Sequence, residues 1–442
     1  MRCKITVIGT GYVGLVTGTC FAEIGHEVIC VDKDARKIGM LESGRVPIYE
    51  PGLEDMVERN MKAGRLSFSL DLAESCRDRD AIYIAVGTPS DPETGRADLS
   101  QVHGAAEEIG RALSQFSVII TKSTVPVGTN RMVAELARAV AASPDFVAVA
   151  SNPEFMREGA AISDFMEPDR VVIGVEDPRA STIMQRIYAP LVEAEVPMLV
   201  TGIETAEMIK YAANSFLATK LSFINEVSDL CEAVGANIEE VARGIGLDKR
   251  IGLPFLKVGP GWGGSCFPKD TLAFQMTAQD AGVPARIIGA AIAANDARKA
   301  SMADRVLAAC GGSLEGKKVA VLGVTFKGQT DDMRESPSLS ILPRLIAMGA
   351  SVDAYDPAQP RDAQALLGDV RLVADPLDAV ADADVLVVVT EWKVFRSYDL
   401  ATLASRMRTK TLVDLRNLFS PAEAEQAGFA SYSALGLSTK AN

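Results

Sequence analysis

The chain has 442 residues, 48% hydrophobic and 23% charged, with a net charge of −13 at neutral pH. At about 150 residues per domain that length makes two or three domains, and the composition is that of a globular protein with a large core. The acidic balance excludes a general binder of nucleic acid or anionic membrane, which needs a basic face, while leaving room for a few basic residues to converge on an anionic small ligand.

The N-terminal run "MRCKITVIGTGYVG" enters a strand without the build of a signal peptide. No apolar run reaches the roughly 18 residues of a membrane span. Seven scattered cysteines (Cys3, Cys20, Cys30, Cys76, Cys231, Cys266, Cys310) show no zinc spacing. They predict free thiols, no metal and a reducing cytoplasm. Of the two histidines, His26 is expected at a surface turn and His103 on a solvated helix face. Proton handling is therefore sought among Lys, Asp, Glu and water.

"KITVIGTGYVGLVTGTCFAEIGHEVICVDKD" reads as strand, glycine turn, helix, strand. Gly9, Gly11 and Gly14 form G-x-G-x-x-G at the turn, and Asp32 ends the second strand at the offset of a ribose-binding acid. Gly9 permits the tight turn, Gly11 lets a pyrophosphate approach, and Gly14 packs helix on strand. The helix start supplies N–H groups to the phosphates. An acid at the ribose end favours NAD over NADP. Further apolar runs break into the loops "VGTP" (86–89), "KSTVP" (122–126) and "NPEFMRE" (152–158). Strands alternating with helices predict a parallel sheet with ligand-binding loops at its carboxyl edge.

From residue 203 there is no Gly or Pro for over 30 residues, which predicts a long spine helix. It suits a dimer contact or a helix buried between domains. Lys210 and Asn214 lie four apart on it, on one side. Near 317 the first pattern returns, "GASVDAYDP" echoing "GHEVICVDKD" with Asp356 at the place of Asp32. The glycine triplet is gone, so this unit is expected to bind a nucleotide differently, or to bind a different one. The chain is thus expected to hold an NAD-binding Rossmann domain (1–200), a central helical domain with the spine helix and a cysteine loop (201–300), and a second Rossmann-like domain (313–442). In fold class it is α/β, two doubly wound parallel-sheet domains joined by a long central helix.

In "GPGWGGSCFPKD" (259–270), Cys266 follows Gly261, Gly263 and Gly264, which clear side chains from its approach. Pro268 stiffens the turn, and Lys269 and Asp270 follow. Nearby positive charge favours the thiolate, so Cys266 reads as a nucleophile rather than a small structural residue. A thiol beside NAD points to aldehyde oxidation through a thiohemiacetal and a thioester. A two-electron 3-hydroxyacid-type dehydrogenase leaves Cys266 without a role. An NAD-sensing protein with a redox-sensitive cysteine leaves Lys210, Asn214 and the second domain unexplained.

Together, "GTGYVG", "VGTPS", "KSTVPVGT", "NPEFMREG", "IKYAANSFLATKLSFINE", "GPGWGGSCFPKD", "FKGQTDDMRESPS" and "VDLRN" resemble the UDP-glucose 6-dehydrogenase family from residue 1 to about 420. The motifs separate UDP-glucose members poorly from those acting on GDP-mannose or UDP-N-acetylmannosamine. The resemblance implies two successive NAD-dependent oxidations of CH₂OH to carboxylate, with Cys266 the nucleophile and Lys210 and Asn214 holding the alkoxide. It implies that Thr124 holds water, that Asp270 holds a catalytic water or takes part in proton transfer with Lys210, that Glu158 is the base for hydrolysis, and that Glu154 serves catalysis or an ion pair. It places Gly9, Gly11, Tyr12, Val13, Gly14, Asp32, Lys37, Thr88, Thr124, Glu158, Lys269 and Arg334 on NAD. For the UDP-sugar it implies Glu154, Phe155, Met156, Arg157, Lys210, Asn214, Phe255, Leu256, Lys257, Gly259, Gly263, Lys327 and Arg416, with Arg250 reaching the substrate of a partner subunit in a homodimer or larger homo-oligomer.

Overall fold

In a computed structural model, residues 2–91 and 94–437 are described, and they form two compact units. One runs to Ala213 and includes Leu272–Ala281; the other comprises Asn214–Thr271 and the chain from Gly282.

The first unit is built on eight strands: β1 (Lys4–Ile8), β2 (Glu27–Val31), β3 (Leu66–Ser69), β4 (Ala81–Ile84), β5 (Ser117–Thr121), β6 (Val147–Ser151), β7 (Val171–Val175) and β8 (Met198–Thr201). Their order is β3-β2-β1-β4-β5-β6-β7-β8. β4, β5 and β6 are buried at every position, as expected where helices cover both faces. A wholly buried aromatic cluster packs beneath the glycine-turn helix, with Phe21 4.9 Å from Tyr83, 5.1 Å from Phe165 and 5.7 Å from Tyr188 between ring centroids. Each such ring removes roughly 150–250 Å² from water.

The second unit carries six parallel strands: β9 (Lys318–Leu322), β10 (Ser351–Tyr355), β11 (Arg371–Leu372), β12 (Val385–Val388), β13 (Thr411–Asp414) and β14 (Ser431–Ala434). Their order, β11-β10-β9-β12-β13-β14, is that of β3-β2-β1-β4-β5-β6, so the repeat read from the sequence is a repeat of topology. The spine helix spans Ile203–Val234, 32 residues and about 48 Å at 1.5 Å per residue.

Three expectations change. The first sheet is not wholly parallel, because β7 pairs antiparallel with β6. A buried apolar strand looks alike in either direction, so composition does not encode this. His26 is not at the surface: it is 2% exposed, accepts from the Cys3 backbone N–H at 3.1 Å and sits 2.9 Å from the Ile187 carbonyl oxygen. Burial holds its pKa below the ordinary histidine value. His103 is half-buried rather than solvated.

Candidate active site

The glycine turn joins β1 to the helix Tyr12–Glu23, and each glycine has its own steric reason. Gly9 has φ +98°, and a Cβ there would lie 2.7 Å from the Ala85 carbonyl oxygen. A Cβ on Gly14 would lie 1.9 Å from the Gly9 oxygen, whereas one on Gly11 would meet nothing within 4 Å. The face at Gly11 is therefore open, and the helix start has no side-chain cap, so its N–H groups are available to phosphate. Asp32, just past β2, accepts from the Thr10 N–H at 2.8 Å, the Thr10 hydroxyl at 2.7 Å and the Asp34 N–H at 3.0 Å. Burial pushes its pKa up, but these bonds and Lys37 at 3.9 Å outweigh it and hold the carboxyl below its ordinary value. An open glycine, an uncapped helix and an anionic acceptor fit a dinucleotide. Val13 packs on the core beside them, and the Thr88 hydroxyl donates to the Thr124 carbonyl at 2.9 Å.

The loop after β6 carries Glu154, which is buried and paired with buried Lys210 at 3.0 Å. Burial alone raises a carboxyl pKa, but Lys210 and the Met156 N–H at 2.7 Å hold Glu154 below its ordinary value. The Phe155 ring lies 3.7 Å from the Arg170 guanidinium and 5.4 Å from Lys210 Nζ. Arg157 is forked onto Asp164 and exposed, while Glu158 is half-buried. One turn before Lys210, Glu207 accepts from the Gly128 N–H at 2.7 Å and from both N–H groups of Asn130. That anchors the start of the spine helix.

Cys266 stands immediately ahead of the helix Phe267–Asp280, and its carbonyl accepts the Asp270 N–H at 2.9 Å. The sulfur thus sits at a helix start, where the dipole favours an anion. Burial pushes the pKa of the other six thiols up, to about 12 for Cys20, Cys30 and Cys76. Asp270 is fully buried and clamped by Asn214 Nδ2 and Lys269 Nζ, each at 2.5 Å.

The glycines before Cys266 answer to packing rather than to an open approach. A Cβ on Gly263 would lie 2.0 Å from the Glu335 carbonyl oxygen, and one on Gly264 would lie 2.7 Å from the Phe326 ring. Gly264 N–H donates to the Arg334 carbonyl at 2.8 Å. Gly259 N–H donates to Asn225 Oδ1 at 3.0 Å, and a Cβ there would lie 3.0 Å from the Arg416 guanidinium. Arg416 is fixed by the Val389 and Phe326 carbonyls at 2.7 and 2.9 Å and by Glu391 at 2.9 Å. Phe255 takes φ +64°, in a segment held by Lys220 Nζ on the Pro254 carbonyl at 2.8 Å. Beside it Leu256 is buried and Lys257 exposed. Lys327 Nζ lies 5.3 Å from the Phe326 ring.

The second unit handles its ribose-position acid differently. Asp356 Oδ2 takes the Val324 N–H at 2.7 Å, the Thr325 N–H and hydroxyl at 3.1 Å each, and the Trp392 indole N–H at 3.2 Å.

Three models of the UDP-glucose/GDP-mannose dehydrogenase family match in chain order: the NAD binding domain over residues 3–192, the central domain over 204–297 and the UDP binding domain over 320–421. The chain belongs to this family. It is 52% identical to the UDP-glucose 6-dehydrogenase of Rhizobium meliloti (strain 1021), over 98% of this chain and 99% of the relative. A UDP-glucose dehydrogenase structure from Pyrobaculum islandicum superposes with a TM-score of 0.90 at 38% identity, covering 99% and 98% of the two chains. A UDP-D-ManNAc dehydrogenase from Pyrococcus horikoshii gives 0.85 at 26% identity over 99% of each.

As in the family's domain plan, the glycine turn and Asp32 fall in the NAD-binding part. Lys210, Asn214 and Cys266 fall in the central part, and Lys327, Arg334 and Arg416 in the UDP-binding part. Arg250 and Arg334 are forked onto Asp248 and Asp332.

Sequence reasoning missed two buried groups of the first unit. Glu50 accepts from the Tyr12 hydroxyl and from the N–H groups of Gly159 and Ala161 at 2.8 Å each, tying the glycine-turn helix to the loop after Glu158. Its only sequence signal is an acid in the turn "YEPG". Glu50→Ala strands these donors, and we expect a loss of about 3 kcal/mol of stability, recovered in part by Gln, as read by urea unfolding. The other is Lys122, which closes the apolar run "SVIITK" and is 5% exposed.

Proposed function

We propose that the chain oxidises C6 of UDP-glucose twice with NAD, from alcohol through aldehyde to carboxylate, by way of a Cys266 thiohemiacetal and thioester. NAD, when bound at the glycine turn, supplies the two-electron acceptor for each oxidation. Lys210 and Asn214 stabilise the alkoxide that forms as the alcohol loses its proton to water held by Asp270, and loss of two electrons and one C6 hydrogen turns that alkoxide into the aldehyde. The Cys266 thiolate then adds to the aldehyde carbon, placing negative charge on the same oxygen. Loss of two electrons and the C6 hydrogen leaves a thioester. Water held by Asp270 and Thr124 gives a proton to Glu158 and attacks the thioester carbonyl. The C–S bond breaks, thiolate departs and carboxylate remains.

The observation that carries this reading is Cys266 at a helix start with buried Asp270 locked to Asn214 one helical turn away. UDP-glucose is favoured over UDP-N-acetylmannosamine by the 52% identity to a UDP-glucose 6-dehydrogenase against 26% to the UDP-D-ManNAc enzyme. Arg416, Lys327 and the 255–259 segment are assigned to the nucleotide, Arg334, Lys269 and Thr88 to NAD.

The working form is a cytoplasmic homodimer or larger homo-oligomer. In support, Phe216, Phe223 and Leu230 are 66%, 55% and 61% exposed and lie seven residues apart, a stripe suited to a second helix. Arg250, 89% exposed, is assigned to the partner's substrate. The deciding assay counts NADH formed per UDP-glucose consumed. Two is expected; one excludes the second oxidation, and faster turnover of GDP-mannose or UDP-N-acetylmannosamine excludes the assigned substrate.

A further inference from the structure

Lys122 is a buried cation for which the scheme above has no use. Its ammonium has three donors, yet among the described residues it makes a single hydrogen bond, 3.2 Å to Asn152 Oδ1, and faces the Phe165 ring at 5.9 Å. The titratable groups acting on it are Glu154 from the loop after β6, Lys210 from the spine helix and Cys20 from the glycine-turn helix. Tyr188 reaches it through Asn152, its hydroxyl donating to the same Oδ1 at 2.5 Å. Asn152 is therefore satisfied without the lysine, so Lys122 is not needed to complete that network. Burial first, then Lys210, pull its pKa down to about 8 against the attraction of Glu154. A buried ammonium with one hydrogen bond, to an amide oxygen that Tyr188 already serves, calls for a use outside folding.

The use follows from counting charge. Lys210 alone with Glu154 is a neutral pair, and a cation cancelled by a carboxylate at 3.0 Å attracts an alkoxide weakly. A second buried ammonium acting on the same carboxylate leaves the three groups with one net positive charge.

We propose that Lys122 is a positioning residue for the oxidation: it offsets Glu154, so that the charge of Lys210 stays available to the alkoxide. The inference rests on the role given to Lys210 above.

The test pairs Lys122→Met with Lys122→Arg, and uses Lys210→Ala to check the underlying role. With Met, kcat at pH 7 should fall on the order of tenfold or more, with KM for UDP-glucose and for NAD within about threefold of wild type. The melting temperature should hold or rise. The sign follows from linkage: a lysine whose folded pKa lies below its unfolded value costs stability fully below pH 8. That cost is relieved as pH climbs toward 10.5. The advantage of the Met variant should therefore shrink across that window. Wild-type kcat should decline as pH rises through about 8, and Arg, which stays charged, should move that decline to higher pH. Wild-type kcat in Lys122→Met overturns the proposal, and so does a loss of kcat accompanied by a lower melting temperature, which marks a structural lysine. An Arg variant with the wild-type alkaline limb also overturns it. If Lys210→Ala keeps full activity, the role of Lys210 fails first, whatever Lys122 does.

Discussion

Cys266→Ala should end the reaction at the aldehyde oxidation state. Turnover to UDP-glucuronate should fall by on the order of 10⁴-fold or more, the scale of losing a covalent nucleophile. The first oxidation needs no sulfur, so enzyme mixed with UDP-glucose and NAD should give at most one NADH per sugar, slowly. The reason is chemical: an aldehyde carbon must become tetrahedral before it can give up its hydrogen with two electrons. With no thiolate at the start of the helix Phe267–Asp280, that adduct has no protein group to form on. No other cysteine can substitute, because burial raises the pKa of the remaining six. Mass spectrometry of quenched wild-type enzyme should find the sugar nucleotide on residue 266. Full formation of uronate by the Ala variant would remove the sulfur from the mechanism.

Lys210→Ala should cost both stability and rate, and the two losses should separate. The side chain is the 3.0 Å partner of a buried carboxylate, and breaking such a pair, with only Lys122 left to act on Glu154, should cost up to about 3–5 kcal/mol. The stability that Glu154 contributes through its lowered pKa is present above its ordinary value of 4.5 and is lost as pH falls through the lower folded value. The wild-type and Ala unfolding free energies should therefore converge in acid. A second change, Glu154→Gln, removes the stranded charge and should restore most of the stability. It should leave kcat depressed by about 10²–10⁴-fold, since the alkoxide still lacks its cation. If stability and kcat recover together, Lys210 serves packing and nothing else.

Some of the molecule is written where local backbone sterics decide it. Gly9, Gly11 and Gly14 do what their spacing predicts, down to the one position where a Cβ meets nothing. The spine helix begins at Ile203, where the punctuating Gly and Pro stop. Other features depend on which segments meet in space. The reversal of β7 depends on how the chain returns after Glu158. Lys122 follows five buried strand residues, where the sequence alone reads equally as a lysine reaching for solvent. His26 is buried because Cys3 and Ile187, distant in sequence, close over it. Gly264 was legible from the backbone freedom it uses, at φ +83°, but the Glu335 carbonyl and the Phe326 ring that also require Gly263 and Gly264 lie some 60 or more residues away.

The acid that closes β10 bears on how duplicated nucleotide folds diverge. Position 356 still carries a carboxylate and takes a threonine N–H and hydroxyl as Asp32 does, but a tryptophan indole crowds the same oxygen as well. A repeated topology can thus keep an acid in place while its surroundings become more crowded.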